Sequence, residues 1–220
     1  MNRRDFIRNM AIAAAGISAA GILGGAVAAE EATGGKQGRK GKMKILVLTG
    51  SPRKNGNSAT LADHFIKGAK EAGHSVERFD AAFKKVHPCI ACNSCGMDGP
   101  CVFKDDFEFV RKHIIDADCV VFATPMYYFG ISAQLKAVID RFYAINGQIH
   151  VSKQAVLLMT YANTAASEAV PIKSHYEALL RYLGWKDAGQ VIAPGVWPVG
   201  AIANTDYPRQ AYQLGRGLVK

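Results

Sequence analysis

The sequence predicts an α/β fold, a doubly wound sheet of five parallel strands. Three observations carry this expectation. From Lys44 onward the strand and helix patterns alternate as β-α-β-α-β-α-β-α-β-α. Most of the strands are short, continuous apolar runs of the kind buried on both faces of a sheet. Right-handed crossovers between such strands leave a parallel sheet covered on both sides as the simplest solution.

Taken in order, Ile45 to Leu48 is the first buried strand, and Gly50 to Asn57 is a turn-rich loop behind it. An amphipathic helix follows, with Leu61, Phe65 and Ala69 on one stripe and Ala62 and Ile66 beside them. Ser75 to Asp80 alternates and reads as the second strand. Residues 81–104 are irregular and hold four of the five cysteines. Asp105 or Asp106 caps a helix carrying Phe107, Val110 and Ile114 on one face, with Glu108 in its first turn. Cys119 to Ala123 is the third strand, followed by a loop from Thr124 to Gly130. The next helix buries Leu135, Val138, Ile139 and Phe142. Ala155 to Met159 is the fourth strand, and it ends in the small polar loop Thr160 to Ala165. A helix from Ala166 to Leu183 is expected to break or kink near Pro171. The last strand lies within Gly189 to Val196, and residues 206–218 form a final helix.

The first 43 residues stand apart. Residues 1–29 read as an export signal, with the twin arginines Arg3 and Arg4, then Phe6, Ile7 and Arg8. Met10 to Ala29 is uncharged but only mildly hydrophobic, and it ends in small-residue cleavage sites at Ala26 to Ala29. This pattern resembles twin-arginine signals and predicts export, to the periplasm or its equivalent, of an already folded protein. An uncleaved membrane anchor is the competing reading, since about 20 apolar residues span a bilayer. Residues 30–43 are a basic Gly/Lys-rich linker, and 44–220 are the folded domain with a cysteine-rich insertion at 86–104. The net charge is +9; Arg3, Arg4 and Arg8 against Asp5 place +2 of it in the signal. A basic tract can signal nucleic acid. No aromatic interleaving or recognition motif accompanies it, so no nucleic-acid partner is expected, and the charge suits an anionic substrate or cofactor.

The strand, loop and helix start at residues 44–60 form an anion site. Free amides of a first helical turn and the helix dipole favour a phosphate. Ser51, Asn57, Ser58 and Thr60 add neutral donors, and Arg53 adds a cationic fork. A Walker A loop is excluded, because five residues separate Gly50 from Gly56 and Asn57 stands where the lysine belongs. Gly-x-Gly-x-x-Gly is also absent. A donor-rich loop without a metal-binding partner suits a terminal phosphate monoester, as in FMN; a plain strand-to-helix connection is the alternative. The loops 50–58, 125–130 and 160–165 all follow strands, so they meet at one edge. Pro125, Met126, Tyr127, Tyr128, Phe129 and Gly130 offer a platform for a flat heteroaromatic ring. Tyr161 of the third loop is counted with them. A contact between subunits is the other reading of these aromatics.

Gly50–Ser58 (GSPRKNGNS), Thr124–Gly130 (TPMYYFG) and Lys136–Arg141 (KAVIDR) together resemble the flavodoxin-like NAD(P)H-dependent FMN reductases, nearest the iron–sulfur flavoprotein branch. The resemblance runs from residue 43 to about 218. It implies the flavodoxin-like strand order 2-1-3-4-5, noncovalent FMN, and NADPH or NADH as co-substrate. It also implies that Ser51, Arg53, Asn57, Ser58 and Thr60 hold the phosphate and that Pro125 to Gly130 line the isoalloxazine. Lys136, Asp140 and Arg141 match the family pattern but serve structure or assembly. A homodimer or homotetramer is implied as well.

Cys89, Cys92, Cys95 and Cys101 are spaced Cys-x2-Cys-x2-Cys-x5-Cys. The first three match the run used for a [4Fe–4S] cluster, and Gly96, Gly99 and Pro100 let the chain turn back through the longer last gap. The iron–sulfur flavoproteins carry a similar compact motif. Zinc, two disulfides, and free thiols beside FMN remain open alternatives. Cys119 reads as core. The six histidines show no metal spacing and read as surface or capping residues. The function expected is an exported flavin-dependent NAD(P)H oxidoreductase passing electrons to a quinone-like, other small-molecule or protein acceptor. The competing functions are an electron-transfer flavoprotein without nicotinamide turnover, and a binding module that has lost its flavin.

Overall fold

The computed structural model describes residues 41–220. The expected signal and all of the linker before residue 41 lie outside the described residues. The elements are β1 (Lys44–Thr49), α1 (Asn57–Glu71), β2 (Ser75–Asp80), α2 (Phe107–Asp116), β3 (Cys119–Tyr127), β4 (Gly130–Ile131), α3 (Ala133–Asp140), α4 (Asn146–Ile149), β5 (Gln154–Thr160), α5 (Val170–Leu183), β6 (Lys186–Ala193) and α6 (Tyr207–Gly217).

The main sheet has the order β2-β1-β3-β5-β6, and every one of those pairings is parallel. With β4 set aside, this is the expected order 2-1-3-4-5. β4 is a sixth, two-residue strand that folds back antiparallel on the end of β3, pairing Tyr127 with Gly130 and Met126 with Ile131. Two residues leave no periodicity to read.

The alternation within each strand builds two cores. Leu46, Leu48, Val120, Phe122 and Leu157 point to the side covered by α2, α3 and α5. Ile45, Val47, Val121, Val156 and Leu158 point to the side covered by α1 and α6. Helices α1 and α6 approach so closely that a Cβ at Gly68 would fall 2.1 Å from the Tyr212 carbonyl, and one at Gly215 would fall 2.2 Å from that of Phe65. Glycine is therefore dictated there by the helix contact, which fixes α1 against the sheet.

Several boundaries differ from expectation. β3 continues through Pro125, which pairs with Thr160 of β5, so half of the supposed loop is strand. Pro171 starts a helix instead of kinking one: Ala166–Ala169 forms a 3-10 turn, and Pro171 occupies the first turn of α5, where its missing N–H costs nothing. β6 begins at Lys186, three residues before the expected window. Met43 is already buried and donates its N–H to His74 Nδ1 at 3.2 Å, so it belongs to the domain and not to the linker. His74 is thus a buried clasp rather than a surface residue, since its other ring nitrogen lies 3.3 Å from the Leu218 carbonyl. Among the described residues no helix is long and apolar enough to cross a membrane.

Candidate functional site

Helix α1 begins without a side-chain cap. Gly56 stands at its N-cap, and no side chain accepts from its first turn. The Gly56 N–H is spent on the Arg53 carbonyl at 3.0 Å, and the first helical bond runs from Thr60 N–H to the Gly56 carbonyl. The amides of Asn57, Ser58 and Ala59 precede that bond and have no intrahelical acceptor. No acidic side chain lies in the first turn. The dipole and three unspent amides are therefore left available to an anion, since no carboxylate of the first turn takes them up.

Ser51 shapes the loop in front of this end. Its Oγ accepts from the Arg53 N–H and donates to the Arg53 carbonyl, each at 3.1 Å. A Cβ at Gly56 would meet that Oγ at 2.6 Å, so a side chain there would displace Ser51. Ser51 and Ser58 are buried while Arg53 is exposed, free to swing over a bound anion.

A cavity of about 250 Å³ runs from this end across the carboxyl edge of the sheet. Ser51, Arg53, Gly56, Asn57 and Ser58 line one end; Pro125 to Tyr128, Thr160 to Ala162, Val196 and Trp197 line the rest. An adjoining cleft of about 220 Å³ shares Met126, Tyr128, Tyr161 and Ala162 and adds Phe129, Asn163 and Glu168. Both lie where ligands of doubly wound sheets bind. A wider cleft, about 490 Å³, is at the opposite end of the sheet, between β1, β2 and the C-terminus of α2. A helix C-terminus presents carbonyls, not amides, and among the described residues no Phe, Tyr or Trp lines this cleft, so the first cavity is the better candidate.

The aromatic side of the cavity is a strained hairpin. The loop joining β3 to β4 is only Tyr128 and Phe129, with φ of 45° and 63°. Left-handed φ at both positions is what a type I′ turn requires, and Asn-Gly is its usual occupant. Here two aromatics occupy it, with Tyr128 fully exposed and Phe129 half-exposed. Strain of this kind collects at functional sites. Tyr161 is buried, and its hydroxyl donates to the Ala165 carbonyl at 3.2 Å. Burial, then Glu168, raises its phenol above the ordinary value.

Three expected binding residues behave differently. The Asn57 side chain turns away from the cavity: its Nδ2 donates to the carbonyls of Val196 at 2.9 Å and Pro198 at 2.8 Å, and its Oδ1 accepts from Ile202 N–H. Only its backbone remains for an anion, while the side chain holds the 196–202 loop against the site. Thr60 is one turn into the helix, bonds back to the Gly56 carbonyl at 3.3 Å, and lines neither cavity. Gly130 also lines neither; it closes the hairpin. Sequence reasoning missed Trp197, 70% exposed at the cavity rim, and Val196. Their signal was available, because they follow β6 at the same edge of the sheet.

The four cysteines Cys89, Cys92, Cys95 and Cys101 line one small cavity with Ile90, Val102, Phe103 and Arg141. No disulfide joins them in this structure. Among the described residues no group of three or more His, Cys, Asp or Glu is placed to hold a metal ion. The cavity is about 20 Å³, and the loop around it uses left-handed φ at Ala91, Asn93, Gly96 and Met97. Its anchors are specific. Asp98 accepts from Gly147 N–H at 2.8 Å, Met97 O from Asn146 N–H at 2.9 Å, and Asn93 from Tyr143 hydroxyl at 2.8 Å. The Cys92 thiol is held below its ordinary value by hydrogen bonds from Ser94. Cys119 is the opposite case: burial pushes its thiol up to about 12, consistent with a core residue.

Residues 43–194 match the model of the NADPH-dependent FMN reductase family. The chain belongs to that family of flavin oxidoreductases. It is 30% identical over 179 residues to an iron–sulfur flavoprotein of Archaeoglobus fulgidus, covering 81% of this chain and 80% of that one. With several other iron–sulfur flavoproteins the match spans about half of their length. A putative NAD(P)H-dependent FMN-containing oxidoreductase of Bacillus subtilis is 27% identical, over 71% of this chain and 87% of that one. Among solved structures, the NAD(P)H:quinone oxidoreductase of Methanothermobacter marburgensis superposes with a TM-score of 0.63 over 80% of this chain and 99% of its own, at 20% identity. That last likeness concerns the fold alone.

Proposed function

We propose that this chain is an exported FMN-dependent NAD(P)H oxidoreductase that delivers electrons to a quinone-like or other small-molecule or protein acceptor. The observation that carries the flavin reading is the single cavity with an uncapped helix N-terminus at one end and a strained aromatic hairpin at the other. A phosphate monoester fits the first and a flat ring fits the second. When bound, FMN supplies hydride acceptance and release of the electrons singly or as a pair.

The chain's own residues bind, orient and shield. The amides of Asn57 to Ala59, the Ser58 hydroxyl and Arg53 take the phosphate charge. Met126, Tyr127, Tyr128, Tyr161, Ala162 and Trp197 would line the ring. No side chain has to move a proton for a hydride step. The Cys-x2-Cys-x2-Cys-x5-Cys spacing and the name of the 30%-identical relative favour a [4Fe–4S] cluster at Cys89, Cys92, Cys95 and Cys101. Among the described residues, however, the thiols as folded form no metal-binding group and surround a cavity of only about 20 Å³, so no step is routed through one. The exposed aromatics Tyr128, Phe129 and Trp197 support assembly into a homodimer or homotetramer across this face.

The twin-arginine pattern of residues 1–29 favours a second reading of the donor. A folded flavoprotein delivered to a compartment poor in nicotinamides would take electrons from a redox partner. Anaerobic spectra of the full chain, with iron and acid-labile sulfide assayed on the same sample, test the cofactors. Steady-state NADPH and NADH oxidation with a quinone or ferricyanide tests the donor. Flavin bands with turnover are expected. Flavin bands without turnover on either nicotinamide would replace the reductase by the electron-transfer protein.

A further inference from the structure

The cleft of about 220 Å³ that adjoins the flavin cavity shares Met126, Tyr128, Tyr161 and Ala162 with it. Phe129, half-exposed, adds to its wall. Its size is below the roughly 300–1,000 Å³ of sites that enclose drug-sized ligands. A group of one or two rings fits, and a whole dinucleotide does not. Among the described residues Glu168 is the only charged side chain that lines it, whereas the phosphate end of the first cavity carries Arg53. The carboxylate is held in place, its Oε1 accepting from Asn163 Nδ2 at 2.9 Å. The segment before it is pinned to the end of β6. Tyr161 N–H donates to the Ala193 carbonyl at 3.0 Å, Val196 N–H to the Tyr161 carbonyl at 3.0 Å, and Gly195 N–H to the Asn163 carbonyl at 2.8 Å. Among the described residues no lysine or arginine forms an ion pair with Glu168. The chain as a whole carries a net charge of +9 and attracts anions; this cleft is a local exception. Glu168 also stands two residues before α5, where a carboxylate favours a helix start whatever lies in the cleft.

We propose that this cleft seats the uncharged ring of a quinone-like acceptor beside the flavin, and that Glu168 determines specificity by repelling anionic rings. The subsite rests on the flavin reading above. Met126, Tyr128 and Phe129 offer apolar and aromatic surface to the face of a flat ring. A like charge fixed without a counterion at a partly desolvated site weakens an anion about tenfold, and less as salt rises. Glu168 acts here on binding alone and moves no proton.

The test is calorimetric titration of the oxidised, FMN-loaded full chain without any electron donor, using methylnaphthoquinone and naphthoquinone sulfonate as probes. Wild type is expected to bind the neutral quinone about tenfold more tightly than the sulfonate. Glu168→Gln should tighten the sulfonate about tenfold and leave the neutral quinone within about twofold. Glu168→Asp keeps the charge and should keep the wild-type order. Thermal unfolding of the same proteins reads the contribution to the start of α5 separately. A Glu168→Gln variant that keeps the wild-type ratio of affinities, whether or not it melts lower, overturns the selection and leaves Glu168 as support for the helix. Wild type that holds FMN but binds the two probes equally, or binds neither, overturns the subsite and leaves the flavin reading standing. Wild type that takes up no FMN on reconstitution overturns both.

Discussion

The Tyr128–Phe129 turn sets stability against flavin binding, and replacing it by Asn-Gly should move the two in opposite directions. Both residues hold left-handed φ, a conformation that costs an L-residue about 1–2 kcal/mol. Asn tolerates it better and Gly freely, although Gly gives back about 0.5–1 kcal/mol of chain entropy. Tyr128 is fully exposed, so its removal forfeits no burial, and Phe129 is already half-exposed. The flavin-free double variant should therefore gain about 1–3 kcal/mol, which at about 2–4 °C per kcal/mol for a domain of this size is about 2–12 °C in Tm. Tyr128 lines both cavities. Losing an aromatic contact worth about 0.5–1.5 kcal/mol beyond its area should weaken FMN about tenfold. Thermal unfolding of the flavin-free proteins and fluorescence titration with FMN read the two quantities. A double variant that melts no higher than wild type, or that binds FMN just as tightly, would refute the reasoning that the strain is kept for the ligand.

Other residues give independent expectations. Arg53→Ala removes an exposed, swinging cation and should weaken FMN by about 10–100-fold, the worth of one charge-assisted hydrogen bond, without changing riboflavin binding; calorimetry with both ligands checks it. Asn57→Ala unties three bonds to the 196–202 loop, two of them buried, and should lower stability by about 1–3 kcal/mol for each buried partner left unpaired, measured as a fall in urea midpoint. Asp105 is pushed up by burial, but the bonds from Arg141 and from the His87 and Phe107 amides outweigh it and hold the carboxyl below its ordinary range. A depressed native value means that its stabilisation is complete above the unfolded value, about 3.9, and is lost as pH falls through the native one. Melting curves between pH 6 and pH 2 should therefore fall more steeply for wild type than for Asp105→Asn.

The sheet was readable because Ile45 to Leu48, Cys119 to Ala123 and Ala155 to Met159 are buried on both faces, and such strands tolerate only apolar residues. The start of the first helix was readable too, and without acidic or capping side chains its first amides are left unspent. What stayed hidden depends on contacts distant in sequence. Asn57 looks like a phosphate donor until Val196 and Pro198, about 140 residues away, take its amide. Pro171 looks like a kink until the 3-10 turn before it moves the helix start. Arg141 looks like one more charge on a helix beside the exposed Lys136–Asp140 pair. Only the folded chain brings it under the cysteine loop.

Competition between FMN and riboflavin for the full chain is the most direct test of a phosphate site at the start of α1. Two or more charge-assisted bonds at about 1.5–3 kcal/mol each predict that FMN binds at least about 100-fold more tightly than riboflavin, and that inorganic phosphate at high concentration narrows the gap. Equal affinity for the two flavins would contradict it, and would leave the uncapped helix and its loop without a ligand.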